Sequence, residues 1–441
     1  MTSLSSSFES LPTDPIATAR DALNGLAVGD AFGAQFFVPD NLPALRERQL
    51  PEAPWPWTDD TEMACSVHQL VMHHGEVDQE ELARSFAERH DFDRGYGPAM
   101  NRMLRLVRQG GNWRELAAGL FDGQGSWGNG AAMRVAPLGA SYPNDPAQAA
   151  RQAALSTQVT HTHPEAIAGA VAVAVAASCA AHGRTDPITG TDLVDTVLGL
   201  TPPSRVRDGI VEARTLLNQP YLELAAHQLG NGRQVSAVDT VPFTLWCAAR
   251  HLDDYEAALW ATASAGGDVD TTCAIVGGIV AAHVGTEGIP AAWRERVELL
   301  PAWLHGHESW DTVHTTTTVT DRYPCPCCGH LVHDEPRGSH AICPLCFWED
   351  DLLQLRWPTT SGANRVSLIE AQHNIQLFGA CDRRSLRFTR RPLPDEPLDL
   401  LWRPIDPQRD SFEDPTDPAP WPAGQLDLCY WRPSFWRREP R

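Results

Sequence analysis

Apolar residues recur at helical spacing from about residue 17 to 304. The pattern predicts helices over 79–90, 97–108, 146–157, 164–182, 205–219, 253–264 and 290–304. Nearly every connection between them carries Gly, Pro, Asn or Asp. No strand alternation interrupts the series, so this part reads as an all-α, compact helical bundle. The longest apolar run, 166–181, is alanine-rich and contains Ser178. It is expected to be too short and too weakly apolar for a bilayer, and so to form a buried helix. The periodicity breaks at 305–321, where four consecutive threonines predict an extended linker. A small unit follows over 322–380, ending in an amphipathic helix at 367–379 behind a serine cap. Beyond Cys381 the chain holds eleven prolines with Trp402, Trp421, Trp431 and Trp436. That composition predicts irregular coil with its tryptophans pinned to a surface. The expected organisation is a disordered leader (1–14), a helical domain (15–305), a linker (306–321), a cysteine-rich domain (322–380) and an irregular tail (381–441).

Two further predicted helices open on acidic clusters. Thr58-Asp59-Asp60-Thr61 precedes Met63, Val67, Leu70 and Val71, and Asp268-Val269-Asp270-Thr271 precedes Ile275, Ile279 and Val280. Negative charge and a threonine cap suit a helix N-terminus, and a single such cluster is ordinarily only a cap. Two hydroxyl-rich clusters meeting in one place would repel and need a cation. All-oxygen ligands suit magnesium or manganese and argue against zinc there.

Composition narrows the chemistry. The chain has 441 residues and a net charge of −21, which argues against general nucleic-acid binding. All 35 basic residues are arginine. Without lysine there is no P-loop nucleotide hydrolysis, no Schiff base and no lysine-assisted nucleophile. The first fifteen residues lack the basic and apolar segments of a signal peptide, and the expectation is a soluble cytoplasmic protein with no membrane association.

Of eleven cysteines, Cys65, Cys179, Cys247 and Cys273 fall on apolar helical faces and read as buried thiols. Five more crowd into 325–346. Cys325-Pro-Cys-Cys328 and Cys343-Pro-Leu-Cys346 are two CxxC knuckles fourteen residues apart. Cys325, Cys328, Cys343 and Cys346 are thereby expected to close one structural zinc site, leaving Cys327 over.

Five segments add a resemblance: GLAVGDAFGA (25–34), WTDDTEMA (57–64), GSWGNGAAMRVAPLG (125–139), THTHPEAIAGA (160–170) and GGDVDTT (266–272). In this order they resemble the ADP-ribosylglycohydrolase family, which includes the dinitrogenase reductase-activating glycohydrolase. The resemblance implies an all-α fold with two metal ions, magnesium or manganese, at its core. Thr58, Asp59 and Asp60 would match the first ligand motif, and Asp268, Asp270 and Thr271 the second, with Asp270 bridging. It implies hydrolysis of the bond between an ADP-ribosyl group and its acceptor, a protein or a small molecule. The metals would hold the ribose hydroxyls and activate water, with Asp59, Asp60 and Asp270 as the catalytic carboxylates. Phe121 and Trp127 would sandwich the adenine. Gly125, Ser126, Gly128, Asn129 and Gly130 would line the phosphates and ribose, and His161 matches the family histidine. Many family members carry a glutamate on a mobile flap where this chain has Phe37, with Glu47 and Glu52 as the nearby alternatives. That departure keeps a second class open, a non-catalytic ADP-ribose-binding module.

Residues 323–380, with YPCPCCGH, ICPLCFWEDDLLQL and SGANRVSLIEAQHNIQLFGA, resemble the cysteine-rich CPCC family. The resemblance implies a small zinc-ribbon-like domain, with its activity and its partner left open.

Overall fold

The computed structural model describes residues 14–304, 322–334, 337–393, 396–399, 401–406, 410–414, 421, 428–432 and 435. The expected linker, and the leader apart from Asp14, lie outside the described residues, as does Trp436. The chain divides into two compact units, Met1–Tyr96 with Gly110–Glu308, and Gly97–Gln109 with Ser309–Arg441.

The first unit is all-α. Its centre is a pair of helices, Pro15–Ala34 and Val269–Val284. Gly25, Gly29 and Gly33 repeat every four residues, so they form one ridge along the first helix. A Cβ on Gly29 would lie 2.2 Å from the Cys273 carbonyl oxygen, and one on Gly33 2.4 Å from that of Val269. Only glycine permits this approach, and the two backbones touch along the ridge. Asp30 follows Gly29 and is thereby carried into the interior, fully buried. Phe32, on the same helix, packs edge-on to Trp260 at 4.9 Å and against Trp293 at 4.3 Å.

The Asp59–His74 helix begins as predicted, with the Thr58 hydroxyl accepting from the Asp60 amide, and it ends at Gly75 in the left-handed region. Most predicted helices recur within a few residues. The Pro164–His182 helix has 19 residues with a mean hydropathy of 1.6, long and apolar enough to cross a membrane, contrary to the expectation of a run too short for it. It is apolar all round because it is buried all round within the unit. The helix expected over 290–304 is also corrected. One turn, Ala291–Arg294, forms, after which Trp55 takes over the backbone bonding. Its amide donates to the Arg296 carbonyl (2.7 Å), and its carbonyl accepts from Glu298 (2.9 Å).

The second unit pairs strands Tyr323–Pro324 and Leu331–His333 antiparallel, with helices Leu352–Arg356 and Leu368–Phe378. Its composition departs from the expected boundaries in two ways. The Pro98–Arg108 helix, taken from the sequence as part of the helical domain, belongs to this unit. Arg102 Nη2 donates to the Phe347 carbonyl at 3.0 Å, and its guanidinium lies 4.2 Å over the Phe347 ring. The tail also enters the core through Leu428, Cys429, Tyr430, Trp431 and Phe435. Trp402 and Trp431 are pinned as expected, by Nε1 bonds to the Pro326 carbonyl (3.1 Å) and to Asp399 (3.2 Å). The physical reason is size: a cysteine-rich unit this small cannot bury a core alone, so it recruits an amphipathic helix and the tail.

Candidate active site

The close approach of Pro15–Ala34 to Val269–Val284, with Asp59–His74 beside them, brings three carboxylates together. Oxygens of Asp30, Asp60 and Asp270 lie within 4.8 Å of one another. Asp30 was not among the residues singled out from the sequence. It accepts four hydrogen bonds: from the Thr58 amide (2.9 Å) and hydroxyl (2.8 Å), and from the Thr61 amide (3.1 Å) and hydroxyl (2.6 Å). Its lone pairs are thus used in fixing the start of the Asp59–His74 helix. Asp60 differs. Its Oδ2 lies 3.0 Å from Thr58 Oγ1 and 3.5 Å from Thr271 Oγ1, while its Oδ1 is buried without a partner. Asp59 and Asp268 lie outside the three-carboxylate group but bear on it through charge.

The electrostatics call for a cation. Burial, then the carboxylates of Asp30 and Asp270, push the Asp60 carboxyl well above its usual range. Burial, then Asp268 and Asp30, do the same to Asp270, and burial with Asp30 raises Asp59 to about 8. Several buried carboxylates with no basic side chain among their leading influences are what a hard divalent ion resolves. The orphaned Asp60 Oδ1 and the oxygen-only donor set fit magnesium or manganese.

The glycine-rich loop carries the other expected residues. Gly125 has φ +75°, and a Cβ there would lie 2.0 Å from Thr162 Oγ1, so the loop needs glycine. Ser126 Oγ accepts from the Gly128 amide at 3.2 Å. His161 lies against Gly128 and Gly130: a Cβ on either would come within 3.3 Å of its Nε2. Asn129 reaches from the loop to neighbouring elements. Its amide group donates to Thr240 Oγ1 (3.0 Å) and Asp268 Oδ2 (2.7 Å), tying the loop to the second acidic cluster. Phe121 and Trp127 are both half-exposed, with centroids 4.7 Å apart and planes tilted by 43°. A base held between two rings needs two contacts of about 3.5 Å, so the expected sandwich is not open in this arrangement. The rings form a joint platform. Phe121 sits at φ +50°, an uncommon conformation for an aromatic residue, concentrated at this loop.

Phe37 ends the Gln35–Phe37 turn and is exposed, and Glu47 and Glu52 are exposed as well. In the second unit, Cys325 Sγ and Cys346 Sγ are 3.6 Å apart, and Cys328 and Cys343 are 3.5 Å apart. These distances are too long for disulfides. They match the spacing of about 3.8 Å between sulfurs at the corners of a tetrahedron with 2.3 Å zinc–sulfur bonds.

Residues 11–320 match the ADP-ribosylglycohydrolase family, and residues 323–396 match the cysteine-rich CPCC family. The chain is 30% identical over 333 residues to ADP-ribosylhydrolase ARH3 of Gallus gallus, covering 64% of this chain and 90% of that protein. It is 27% identical over 327 residues to the Homo sapiens ARH3 (63% and 88%). It is 26% identical over 301 residues to the ADP-ribosylarginine hydrolase Tri1 of Pseudomonas putida (65% and 76%). A solved structure described as an ADP-ribosylglycohydrolase-related protein complex aligns with a TM-score of 0.48 at 25% identity, over 65% of this chain and 94% of that one. The family match over residues 11–320 defines a hydrolase of glycosidic bonds. The chain belongs to the ADP-ribosylglycohydrolase family, with a zinc-ribbon-like CPCC domain following in the same polypeptide.

Proposed function

We propose that this hydrolase releases ADP-ribose from a protein or small-molecule acceptor at a dinuclear magnesium or manganese centre. Thr58, Asp59, Asp60, Asp268, Asp270 and Thr271 would hold the ions. The observation that carries this reading is Asp60 Oδ1, buried, unpartnered and surrounded by carboxylates. A divalent pair bound there supplies charge that orients ribose hydroxyls and makes water nucleophilic near neutral pH. The chain's own residues do the rest. Asp30 holds Thr58 and Thr61, so the first acidic cluster is rigid before substrate arrives. Asn129 holds Asp268 and couples the metal side of the pocket to the phosphate loop. Backbone amides around Ser126 suit a pyrophosphate, and the Phe121–Trp127 platform suits one face of adenine. With adenine on this platform and the pyrophosphate on the loop, the anomeric carbon lies in one place relative to the acidic centre, and positioning supplies much of the rate.

Phe37 offers no carboxylate at the flap position, so proton acceptance falls to a carboxylate of the acidic centre itself. In the second unit we propose one structural zinc held by Cys325, Cys328, Cys343 and Cys346. The test is product analysis on ADP-ribosylated arginine, ADP-ribosylated serine and a small-molecule ADP-ribose conjugate, with and without magnesium. Release of ADP-ribose only with a divalent ion is expected; a chain that binds ADP-ribose but releases none under any condition is the binding module instead.

A further inference from the structure

Arg134 is fully buried, and none of its described hydrogen bonds goes to a carboxylate. Its Nη2 donates to the Ser156 carbonyl and to Thr160 Oγ1, both at 2.9 Å, and its Nη1 faces Met63 Sδ at 3.5 Å. Its guanidinium lies 4.5 Å over the Phe86 ring. Burial lowers its pKa to about 9, which leaves it cationic at neutral pH. An unpaired buried charge is costly, and a leucine would pack the same space at lower cost. A purely structural account has it capping the C-terminal carbonyls of the Pro146–Gln158 helix.

The bond to Thr160 does something more specific. A guanidinium only donates, so Thr160 Oγ1 accepts from it. The same oxygen lies 2.7 Å from His161 Nδ1. Thr160 is fully buried, and its hydroxyl has one proton. If His161 Nδ1 carried a hydrogen, the threonine oxygen would accept twice, and its own proton would have no described acceptor. The arrangement that satisfies both Thr160 Oγ1 and Nδ1 sends the threonine proton to Nδ1 and leaves the histidine proton on Nε2. Burial, with Arg134 adding to it, drops the His161 pKa to about 3, so the ring is neutral at working pH. Nε2 makes no hydrogen bond among the described residues, and it lies against Gly128 and Gly130.

We propose that Arg134 and Thr160 are positioning residues that lock His161 in its Nε2–H tautomer. Nε2 thereby offers a fixed, neutral hydrogen-bond donor to an oxygen of the ADP-ribosyl group over Gly128 and Gly130. The second half rests on the reading of this pocket given above. The two glycines leave room for that oxygen, and the locked proton prevents the ring from presenting a lone pair to an anionic ligand.

The experiment is nitrogen-15 NMR of histidine-labelled full-length protein, with His161 assigned by comparison with His161→Gln, together with calorimetry of ADP-ribose. Wild type is expected to show an unprotonated Nδ1 and a protonated Nε2 across pH 6 to 8, with the Nε2 signal shifting on ADP-ribose binding. Thr160→Ser should retain that tautomer. Thr160→Val should lose it and weaken ADP-ribose binding about tenfold, or ~1.4 kcal/mol. A capping role for Arg134 alone would move neither the tautomer nor the Ser/Val contrast. An Nδ1–H tautomer in wild type overturns the proposal, as does Thr160→Val with wild-type signals and affinity. Arg134→Met should likewise lose the Nε2–H tautomer; should it fail to fold, the wild-type and Thr160 measurements still decide. Wild type that shows the Nε2–H tautomer but does not bind ADP-ribose overturns the pocket reading instead, while the tautomer and its loss in Thr160→Val support the relay.

Discussion

Replacing Asp60 with asparagine is expected to stabilise the protein without magnesium and to remove its stabilisation by magnesium. Asparagine keeps the shape, and its side-chain nitrogen can donate to Thr58 Oγ1, which lies 3.0 Å from Asp60 Oδ2 and gives its own proton to Asp30. What it removes is charge beside Asp30 and Asp270, whose oxygens lie within 4.8 Å. At an effective dielectric of about 20, two unit charges at that distance repel by about 3.5 kcal/mol. Partial protonation of the cluster reduces this, leaving on the order of 2 kcal/mol of relief. Against it stands the lost attraction of a carboxylate for the helix N-terminus, about 0.3–1 kcal/mol. The net effect without magnesium is therefore stabilising. Magnesium at about a thousand times its dissociation constant stabilises wild type by about 4 kcal/mol, and the variant by nothing comparable, so the order of stabilities reverses. The assay is urea unfolding followed by far-UV circular dichroism, with zinc retained and magnesium either dialysed away or saturating. If Asp60→Asn is less stable than wild type without magnesium, the carboxylate stabilises the fold by itself and the argument from its orphaned oxygen is refuted.

Without magnesium, stability should fall between pH 6.5 and 8. Asp59 titrates near 8 when folded against 3.8 unfolded, so the folded state holds a proton the unfolded state has released, at up to about 1.4 kcal/mol per pH unit. His161 acts in the opposite sense and only below 6.5: its neutral folded form loses stability as pH falls towards 3, and His161→Gln should flatten that acid limb. A urea midpoint that rises from pH 6.5 to 8 contradicts the first part. Trp127→Ala should weaken ADP-ribose binding by about 1–3 kcal/mol, and unchanged calorimetric affinity removes the aromatic platform from the pocket. Gly29→Ala places a methyl 2.2 Å from the Cys273 carbonyl and should destabilise by about 3 kcal/mol or more, with magnesium affinity falling because Asp30 moves. Chelating zinc should deprotect residues 98–108 and 428–432 in hydrogen exchange together with the cysteine knuckles; a loss confined to 323–380 would mean that the helix and tail do not depend on the metal.

The helical class was legible because amphipathic periodicity and capping are local. Thr58, Asp78, Asp145, Ser204 and Asp254 each cap a helix through their own side chain. Where the reading went astray, a distant partner had overruled the local preference. Residues after 294 pattern as helix, yet their backbone is bonded to Trp55. The Pro98–Arg108 helix was recognised, but an apolar stripe does not say which core it covers, and this one covers Phe347 with Leu106 and Arg102. The tail's tryptophans were legible as anchors from composition. That Tyr430 and Trp431 form core was not, since its polar bonds, such as Trp431 to Asp399, join residues with no common motif.

The candidate site divides in the same way, and Asp30 shows why. Paired carboxylates beside threonines advertise ligand chemistry by type and spacing, so Asp60, Asp270 and Thr271 were found. A single aspartate inside an apolar run gives no such signal on its own. The signal lay in its frame: Gly25, Gly29 and Gly33 at four-residue intervals mark a helix face that another backbone touches, and an ionisable residue next to that face must meet a partner there or remain costly. Burial raises the Asp30 carboxyl, while donors from Thr61 and Thr58 oppose the shift. The same logic applies to Asn129, whose motif suggested a ligand contact but whose amide hydrogens both go to protein oxygens. Residues that touch a substrate are marked by their chemistry. Residues that hold those in place are marked only by the geometry of the backbone around them, and in this chain glycine spacing is the part of that geometry written in the sequence.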